Sequence, residues 1–332
     1  MKPDQNIVRK MGSLRQLAGT RHGILTDGSA AGIPVIDVNT GGGLQYTVLP
    51  GRGLDISLAQ YKGTNLAYLG PQEEMNAAFY EAERDGWLRT FAGGLLTTCG
   101  PLSFGPPCVD EGEVLGLHGR ISVTPARQVC DLTDIEQGKI EITGILGQYK
   151  LFGEKVRIKR RISSLVGESS IEICDETENM GDTKVPYLML YHINFGYPLL
   201  DEATQTWVSS KSCEGYDTYS QERINSLHQF YPPKVENQEL NYLHTMNEEK
   251  GYAWIRNPLL KLQVDICFDT GALPFLTQWK CARVRDYVLA LEPCSAPCES
   301  RASLREKEMI PWLCPGEKRI SRLWIKVTEK DS

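Results

Sequence analysis

Three short stretches combine side chains capable of acid–base chemistry with glycine or proline at the end of an apolar run. His192 lies in residues 185–198, VPYLMLYHINFGYP, His118 precedes Gly119 in the stretch LHGR, and Glu292 closes the run YVLALEP. A histidine titrates near neutral pH, and burial would raise the pKa of a glutamate toward the range useful to a general base. The structural alternatives are a core histidine held by a backbone carbonyl and a glutamate in water just past its strand.

The stretch around His192 is short, apolar and rich in aromatic residues, which favours a strand buried on both faces. His192 and Asn194 are two positions apart, so a strand points both side chains to the same face. Polar groups inside such a strand carry a free-energy penalty unless they find partners. We therefore predict a polar pocket lined by this face, with Gly196 and Pro198 ending the run.

The elements around these stretches are short strands that alternate apolar and polar residues. The pattern is clear in PVIDVNT, LQYTVLP and LDISLAQYKG, and it returns in KIEITGILGQY, KVRIKRRISS and SSIEICDETEN. The basic residues of KVRIKRRIS mostly alternate with apolar ones, which is typical of a solvated sheet face. The best helix candidate covers residues 73–83, and residues 91–120 form a loop rich in Gly, Pro and Cys, of a kind that is usually functional. With no repeat or composition break, we predict one all-β domain over residues 1–332 with one or two short helices.

The composition of the chain limits the kinds of molecule that it is expected to bind. The chain has 332 residues and a formal net charge of −6, which argues against nucleic acid or an anionic membrane as a partner. No apolar stretch approaches the roughly 20 residues that span a bilayer, and the N-terminal residues lack the apolar core of a signal peptide. We therefore expect a soluble cytoplasmic protein.

The ten cysteines are expected to be free thiols, many of them buried as small apolar side chains. Cys294 and Cys298 form a CxxxC pair with Cys314 further on, but the two-residue spacing of strong zinc motifs is missing. We predict no metal, and the sequence leaves a site on these three cysteines open.

The order of the motifs resembles the galactose mutarotase (aldose 1-epimerase) superfamily over residues 35–325. Residues 89–95, RTFAGGL, followed by a Gly/Pro-rich loop and the His118 motif, resemble segments of its hexose-6-phosphate epimerase branch. The strand of His192 resembles the one that carries the family's general-acid histidine, and LEP around Glu292 resembles the one that carries its general-base glutamate. GRGLDI near the N-terminus is similar to a poorly characterised branch of aldose-epimerase-like proteins. The Asn-His-x-His-Gly motif of galactose mutarotases is here reduced to GLHG, and their substrate-binding aspartate has no clear counterpart.

This resemblance implies a β-supersandwich of stacked, mostly antiparallel sheets and an isomerase that needs no cofactor. Interconverting sugar anomers requires one proton to leave the C1 hydroxyl while another reaches the ring oxygen. The resemblance implies Glu292 as the base, His192 as the acid and His118 as a hydrogen-bond donor that orients the ring. Glu292 and His192 are expected on opposite sides of the sugar, far enough apart for a pyranose ring to lie between them.

Further residues are candidates for binding the sugar. Trp87 and Trp279 could supply an aromatic face, although core packing is the default for tryptophan. Arg52 and Asp55 of GRGLDI are better explained as a pair that stabilises a turn. The predicted substrate-binding residues are Arg89, Arg120, Asn194, Gln278 and Lys280.

Two alternatives to a sugar epimerase stay open: an isomerase or lyase for an unusual or acidic sugar on the same fold, and a non-catalytic carbohydrate-binding protein. An acid–base pair argues against the binding protein. The expected partner is a small-molecule sugar, and the sequence leaves open its identity, its phosphorylation and whether the protein forms a homodimer.

Overall fold

Antiparallel sheets build the molecule, and the computed structural model describes them over residues 4–247 and 249–330 of the predicted domain. In chain order the strands are β1 (Gly19–Ile24), β2 (Pro34–Asn39), β3 (Leu44–Leu49), β4 (Asp55–Tyr61), β5 (Thr64–Asn65), β6 (Thr97–Cys99), β7 (Cys108–Asp110), β8 (Glu113–Leu115), β9 (Arg127–Asp131), β10 (Lys139–Tyr149), β11 (Lys155–Leu165), β12 (Ser170–Asn179), β13 (Val185–Pro186), β14 (Leu190–Phe195), β15 (Gln205–Val208), β16 (Ser210–Gly215), β17 (Leu240–Met246), β18 (Lys250–Asn257), β19 (Leu262–Asp269), β20 (Phe275–Ala282), β21 (Tyr287–Cys294), β22 (Trp312–Leu313) and β23 (Lys318–Glu329).

Three sheets contain most of these strands. β1 to β5 form a five-stranded sheet in chain order. An eight-stranded sheet has the order β15-β18-β19-β23-β12-β11-β10-β9, and a six-stranded sheet has the order β16-β17-β20-β21-β14-β6. Neighbouring strands run antiparallel throughout. The all-β class predicted from the alternating pattern is therefore confirmed.

The helices are short: α1 (Gln5–Val8), α2 (Thr218–Glu222) and α3 (Arg301–Glu306). None of the helices in the described part of the chain has the length and apolar character to cross a membrane.

The helix predicted over residues 73–83 is wrong. This segment is a loop with one 3-10 turn at Ala77–Phe79. Asn76 is extended and accepts a hydrogen bond from the Ala78 amide, while Glu73 and Arg84 have positive φ angles of 53° and 50°. An asparagine that bonds its local backbone competes with helix formation, and two left-handed residues interrupt any helix that includes them.

The sheets stack face to face around one large apolar core. The strand of His192, β14, is buried along its whole length, as predicted. On its inner face the Tyr191 hydroxyl donates to Asp175 of β12 at 2.7 Å and lies 2.6 Å from the Ser321 hydroxyl of β23. The outer face of the six-stranded sheet is left for the candidate site, because successive side chains of a strand point to opposite faces.

An ion network crosses the core beneath that site. Arg160 of β11 is fully buried and donates to Asp175 at 2.9 Å and 2.7 Å, and to Asp55 of β4 at 2.9 Å. The alternating pattern predicted that most basic residues of KVRIKRRIS lie on a solvated face. Arg160 is the exception, because it lies on the inward face with Ile158 and Ile162. This network joins three strands from two sheets, directly behind Tyr191.

The GRGLDI segment has a structural role rather than a place in the site. Arg52 is buried and donates to the carbonyls of Met75 at 2.6 Å and Thr90 at 3.0 Å. Asp55 accepts from the Thr98 amide and hydroxyl as well as from Arg160. The two residues hold the chain on either side of their turn through separate sets of partners.

Candidate active site

The register of two neighbouring strands places His192 opposite Glu292. β14 pairs with β21 through Leu190 with Cys294 and Ile193 with Leu291, so His192 and Glu292 face each other on the outer side of the sheet. His192 Nε2 lies 3.3 Å from Glu292 Oε1. The prediction that a pyranose ring separates these groups is wrong, since directly opposed residues of an antiparallel pair have their Cβ atoms only about 5 Å apart.

The pair is buried and its polar atoms are incompletely satisfied. His192 is 4% exposed and Glu292 is 2% exposed. The 3.3 Å contact of Glu292 Oε1 with His192 Nε2 lacks hydrogen-bond geometry, and neither Oε1 nor His192 Nδ1 has a hydrogen-bond partner among the described residues. Buried polar atoms usually form hydrogen bonds, so these two atoms, on side chains that line a cavity, are available to bond a substrate.

Burial also sets where protons reside. Burial raises the pKa of Glu292 well above its usual range, and the charge of Glu239 raises it further. Burial lowers the pKa of His192 to about 3, the neighbouring His118 lowers it too, and the Asn194 side chain opposes the shift. Both effects disfavour the charged forms, so they favour a protonated Glu292 beside a neutral His192.

His118 comes to the pair from a loop. It has a φ of 58°, and Gly119 follows at 71°, where an added Cβ would lie 2.3 Å from the Ser103 carbonyl oxygen. Its imidazole centre lies 5.8 Å from that of His192, at 87° between the planes. His118 Nδ1 donates to the Phe104 carbonyl at 2.6 Å. Burial lowers the pKa of His118 to about 4, so the ring is neutral and Nε2 is left as an acceptor rather than the predicted donor.

Aromatic side chains form the walls around the two histidines. Trp279 lies edge-on to His192, with ring centres 5.5 Å apart, and its indole N–H donates to Glu239 at 2.9 Å. Trp87 stacks on Phe91 at 4.5 Å and contacts His118 at 4.5 Å. Both predicted tryptophans therefore line the cavity, but Trp87 is buried as core packing predicts, and the partly exposed Trp279 offers the flat apolar surface on which a sugar can pack.

These groups share one cavity of about 750 Å³ over the outer face of the six-stranded sheet. Its size lies in the range of small-molecule sites. Its lining includes Trp87, Leu88, Phe91, Pro106, Pro107, Leu117, His118, His192, Tyr216, Glu239, Asn241, Thr277, Trp279, Glu292, Cys298, Glu299, Ser300, Ser303 and Lys307.

The two predicted arginines lie outside this cavity. Arg89 is exposed on the surface, with its Nε 3.3 Å from Glu81. Arg120 lines a different cavity beside Tyr80 and Gln148, on the far side of the His118 turn. Both predictions are corrected: Arg89 ends the 3-10 helix Gly86–Arg89 with its side chain in solvent, and the turn after His118 directs Arg120 to the other cavity.

Asn194, Gln278 and Lys280 are also absent from the cavity. The Asn194 amide is buried and donates to the carbonyls of Gly94 and His192, so it braces the histidine strand. On β20, Thr277 pairs with Glu292, and the side chains of Thr277 and Trp279 both face the cavity. Gln278 and Lys280 alternate with them and point to the other face of the sheet, which corrects their assignment.

Sequence reasoning missed several residues that line the cavity. Thr277 and Tyr216 share a contact of 3.2 Å between their hydroxyl oxygens, close to Glu292. Glu239 and Asn241 flank Leu240 at the start of β17, in a part of the chain where no site residue was predicted from the sequence. The sequence did contain one indication of these residues. Glu239 and Asn241 are two positions apart, as are Thr277 and Trp279, and residues two apart on a strand point to the same face of the sheet.

Metal ligation is not apparent in the described part of the chain. No group of three or more His, Cys, Asp or Glu side chains within residues 4–247 and 249–330 is arranged to hold a metal ion. Cys294 is buried in the core, whereas Cys314 is exposed.

Comparisons with known proteins support the fold. The sequence matches, over residues 30–327, the model of a family described as a domain of unknown function, DUF4432. No curated protein matches it. A candidate aldose 1-epimerase from Klebsiella pneumoniae subsp. pneumoniae has a similar structure, with a TM-score of 0.89 at 24% identity over 94% of this chain and 84% of that chain.

Two further solved structures are similar at lower identity. A galactose mutarotase-like protein from Clostridium acetobutylicum has a TM-score of 0.67 at 13% identity, over 95% of this chain and 99% of that chain. Galactose 1-epimerase from Lactobacillus acidophilus has a TM-score of 0.65 at 12% identity, over 95% of this chain and 100% of that chain. These likenesses show the galactose mutarotase-like fold that the sequence motifs predicted.

Proposed function

Because the chain belongs to the DUF4432 family and has a galactose mutarotase-like fold, we propose that it is an aldose 1-epimerase-like isomerase. It interconverts the anomers of a monosaccharide or a monosaccharide derivative by acid–base catalysis. The observation that carries this proposal is the buried His192–Glu292 pair, in which Nε2 and Oε1 approach to 3.3 Å without forming a hydrogen bond and both remain available to a substrate.

The short distance suits the chemistry better than a wide gap would. The C1 hydroxyl oxygen and the ring oxygen are both bonded to C1, so the two atoms that exchange protons are close neighbours. Adjacent side chains can therefore serve both oxygens from one side of the ring. General acid–base groups must lie within hydrogen-bond reach of the atoms they serve, and a sugar resting on Trp279 would bring C1 to the pair.

The pair gains one proton and loses one in each ring opening. One partner accepts the C1 hydroxyl proton while the other protonates the ring oxygen, and the C–O bond to the ring oxygen breaks to leave an aldehyde. Rotation about C1–C2 exposes the other carbonyl face, and the reverse transfers close the ring.

The tautomer of the pair decides which residue has which role. The sequence-based assignment, with Glu292 as base and His192 as acid, applies when the proton is on His192. The raised pKa of Glu292 and the lowered pKa of His192 favour the proton on Glu292, which exchanges the two roles without changing the net reaction. His118 Nε2 accepts a hydrogen bond from a sugar hydroxyl in either case.

The cavity favours an uncharged sugar over the acidic-sugar alternative. Lys307 is the one lysine or arginine among the described lining residues, and it already pairs with Glu299 at 2.5 Å. Glu239 and Glu299 add negative charge to the same walls. A carboxylate or phosphate on the substrate would therefore meet no unpaired lysine or arginine among the described residues of the lining.

An anomer-exchange assay tests this function. Magnetisation-transfer NMR on a panel of neutral, phosphorylated and acidic monosaccharides should show accelerated exchange for at least one neutral sugar. Calorimetry on the same panel measures binding. Binding without accelerated exchange would favour the carbohydrate-binding alternative, and exchange confined to acidic sugars would overturn the proposed specificity.

The pH profile provides a separate prediction. kcat/KM should stay flat from neutral pH down to about pH 4, because His118 and His192 remain neutral until their pKa values of about 4 and about 3. Below that range the pair gains a second proton and loses its base. At high pH the activity should fall as the pair loses the acidic proton that it exchanges with the sugar. This fall should occur at a pH above the usual glutamate pKa. An inflection near pH 6.5, the ordinary histidine value, would contradict this protonation scheme.

A further inference from the structure

A second cavity lies on the opposite face of β20 from the candidate active site. It has a volume of about 410 Å³ and receives Lys280, whereas the neighbouring Trp279 points into the first cavity. Its described lining includes three cationic side chains, Arg223, Lys234 and Lys280, and no aspartate or glutamate. This composition is unusual in a chain with a formal net charge of −6.

Lys280 is a buried cation without a counter-charge. It is 4% exposed, and its ammonium donates to the carbonyls of Ser226 at 2.8 Å, Leu227 at 3.3 Å and Gln229 at 2.8 Å. No carboxylate of the described chain forms an ion pair with it. Burial lowers its pKa to about 8. Carbonyl dipoles satisfy the three N–H groups, but a buried charge that lacks an opposite charge remains costly.

Aromatic rings complete the cavity. The Lys280 ammonium lies 5.2 Å from the centre of the Phe230 ring and 6.0 Å from that of Tyr231. The Arg223 guanidinium stacks 3.6 Å over Tyr219, which presents a flat cation beside flat rings. Arg223 also lies 3.5 Å from Glu222, but both side chains are largely exposed, so that pair neutralises little.

We propose that this second cavity binds a small organic anion that carries a flat apolar ring. The anionic group pairs with Arg223, whose guanidinium fork suits a carboxylate, and it offsets the charge of Lys280 through space, because the three Lys280 N–H groups already donate to carbonyls. The ring packs against Phe230 and Tyr231. The site is separate from the His192–Glu292 pair and does not depend on the function proposed for it.

Calorimetric titration with benzoate tests the proposal, with benzamide as the neutral analogue and acetate as the anion without a ring. We expect saturable benzoate binding with a Kd of about 1 mM or lower, and binding of benzamide and acetate weaker by about tenfold or more. Arg223→Gln and Lys280→Met should each weaken benzoate binding by about tenfold or more. Lys326→Met, which removes an exposed lysine elsewhere, and Glu292→Gln should leave it unchanged.

A second readout keeps the test decisive if Lys280→Met fails to fold. In the wild-type protein with isotope-labelled lysine, NMR titration should show the pKa of Lys280 rising when benzoate binds, because a nearby anion stabilises the ammonium. The proposal is overturned if benzoate shows no saturation at concentrations roughly ten times higher than 1 mM. Equal binding of benzoate and benzamide, or unchanged binding to Arg223→Gln, would also overturn it.

Discussion

Replacing Glu292 by glutamine is expected to slow anomer exchange by about 10²–10⁴-fold, the usual contribution of a general acid–base group. Glutamine keeps the shape of the side chain but can neither give up nor accept the proton that the pair must exchange. Since Glu292 Oε1 accepts no hydrogen bond among the described residues and glutamine has nearly the same volume, the substitution should leave the protein folded. The lost interaction matters mainly in the transition state, so KM should change much less than kcat.

A matched variant separates the chemistry from general effects of the substitution. Glu141 is another buried glutamate, on β10, and it is not part of the cavity lining. Glu141→Gln should retain wild-type exchange, measured by NMR at the same protein concentration. An activity of Glu292→Gln within about threefold of the wild-type value would rule out the acid–base assignment, because it is far below the expected contribution.

The second large effect is on stability. Arg160→Met is expected to lower the free energy of unfolding by about 3–5 kcal/mol, because it leaves the Asp55 and Asp175 carboxylates buried without their shared cation. Urea unfolding followed by circular dichroism measures this change. Tyr191, which donates to Asp175, precedes His192 on β14, so anomer exchange should also weaken.

Arg161→Met is the control for that measurement. Arg161 is the next residue of β11, but it lies on the outer face, where it pairs with the partly exposed Glu172 at 2.9 Å and lies 3.8 Å from Glu141, which keeps Lys139 as a partner. Surface ion pairs contribute about 0–1 kcal/mol, so this variant should remain close to the wild-type protein. If Arg160→Met and Arg161→Met lowered the free energy of unfolding by the same amount, the buried network would contribute no more to stability than a surface ion pair.

Much of the fold could be predicted because strand alternation is a local property of the sequence. The alternation in KIEITGILGQY and KVRIKRRISS corresponds to β10 and β11, and the uninterrupted apolar stretch corresponds to the fully buried β14. The loop at residues 73–83 was mistaken for a helix because its composition is helical, while its conformation depends on Asn76 and on two residues with positive φ.

The site could be predicted in part. His118, His192 and Glu292 stood out because each is a polar group beside an apolar run, and the structure brings all three to one cavity. Gln278 and Lys280 were placed on the wrong face because a run such as LTQWK does not show which set of alternate residues faces the ligand. That choice depends on the register of β20 with β21, a long-range pairing absent from either segment alone.

The distance between the acid and the base could not be predicted from the sequence either. Apolar runs indicated the two strands, but only their pairing puts His192 directly opposite Glu292. The wide gap expected from the sequence followed from placing the sugar between the two groups. The observed contact instead places both groups beside the two oxygens of C1.

The most direct test of the proton-sharing pair is a double-mutant cycle of His192→Asn, Glu292→Gln and the double variant, with kcat for anomer exchange measured on one substrate. If the two residues exchange protons as a unit, each single variant should lose about 10²–10⁴-fold and the double variant should be about as slow as either one. Multiplied losses in the double variant would show two groups that act independently, and wild-type rates in either single variant would contradict the catalytic pair itself.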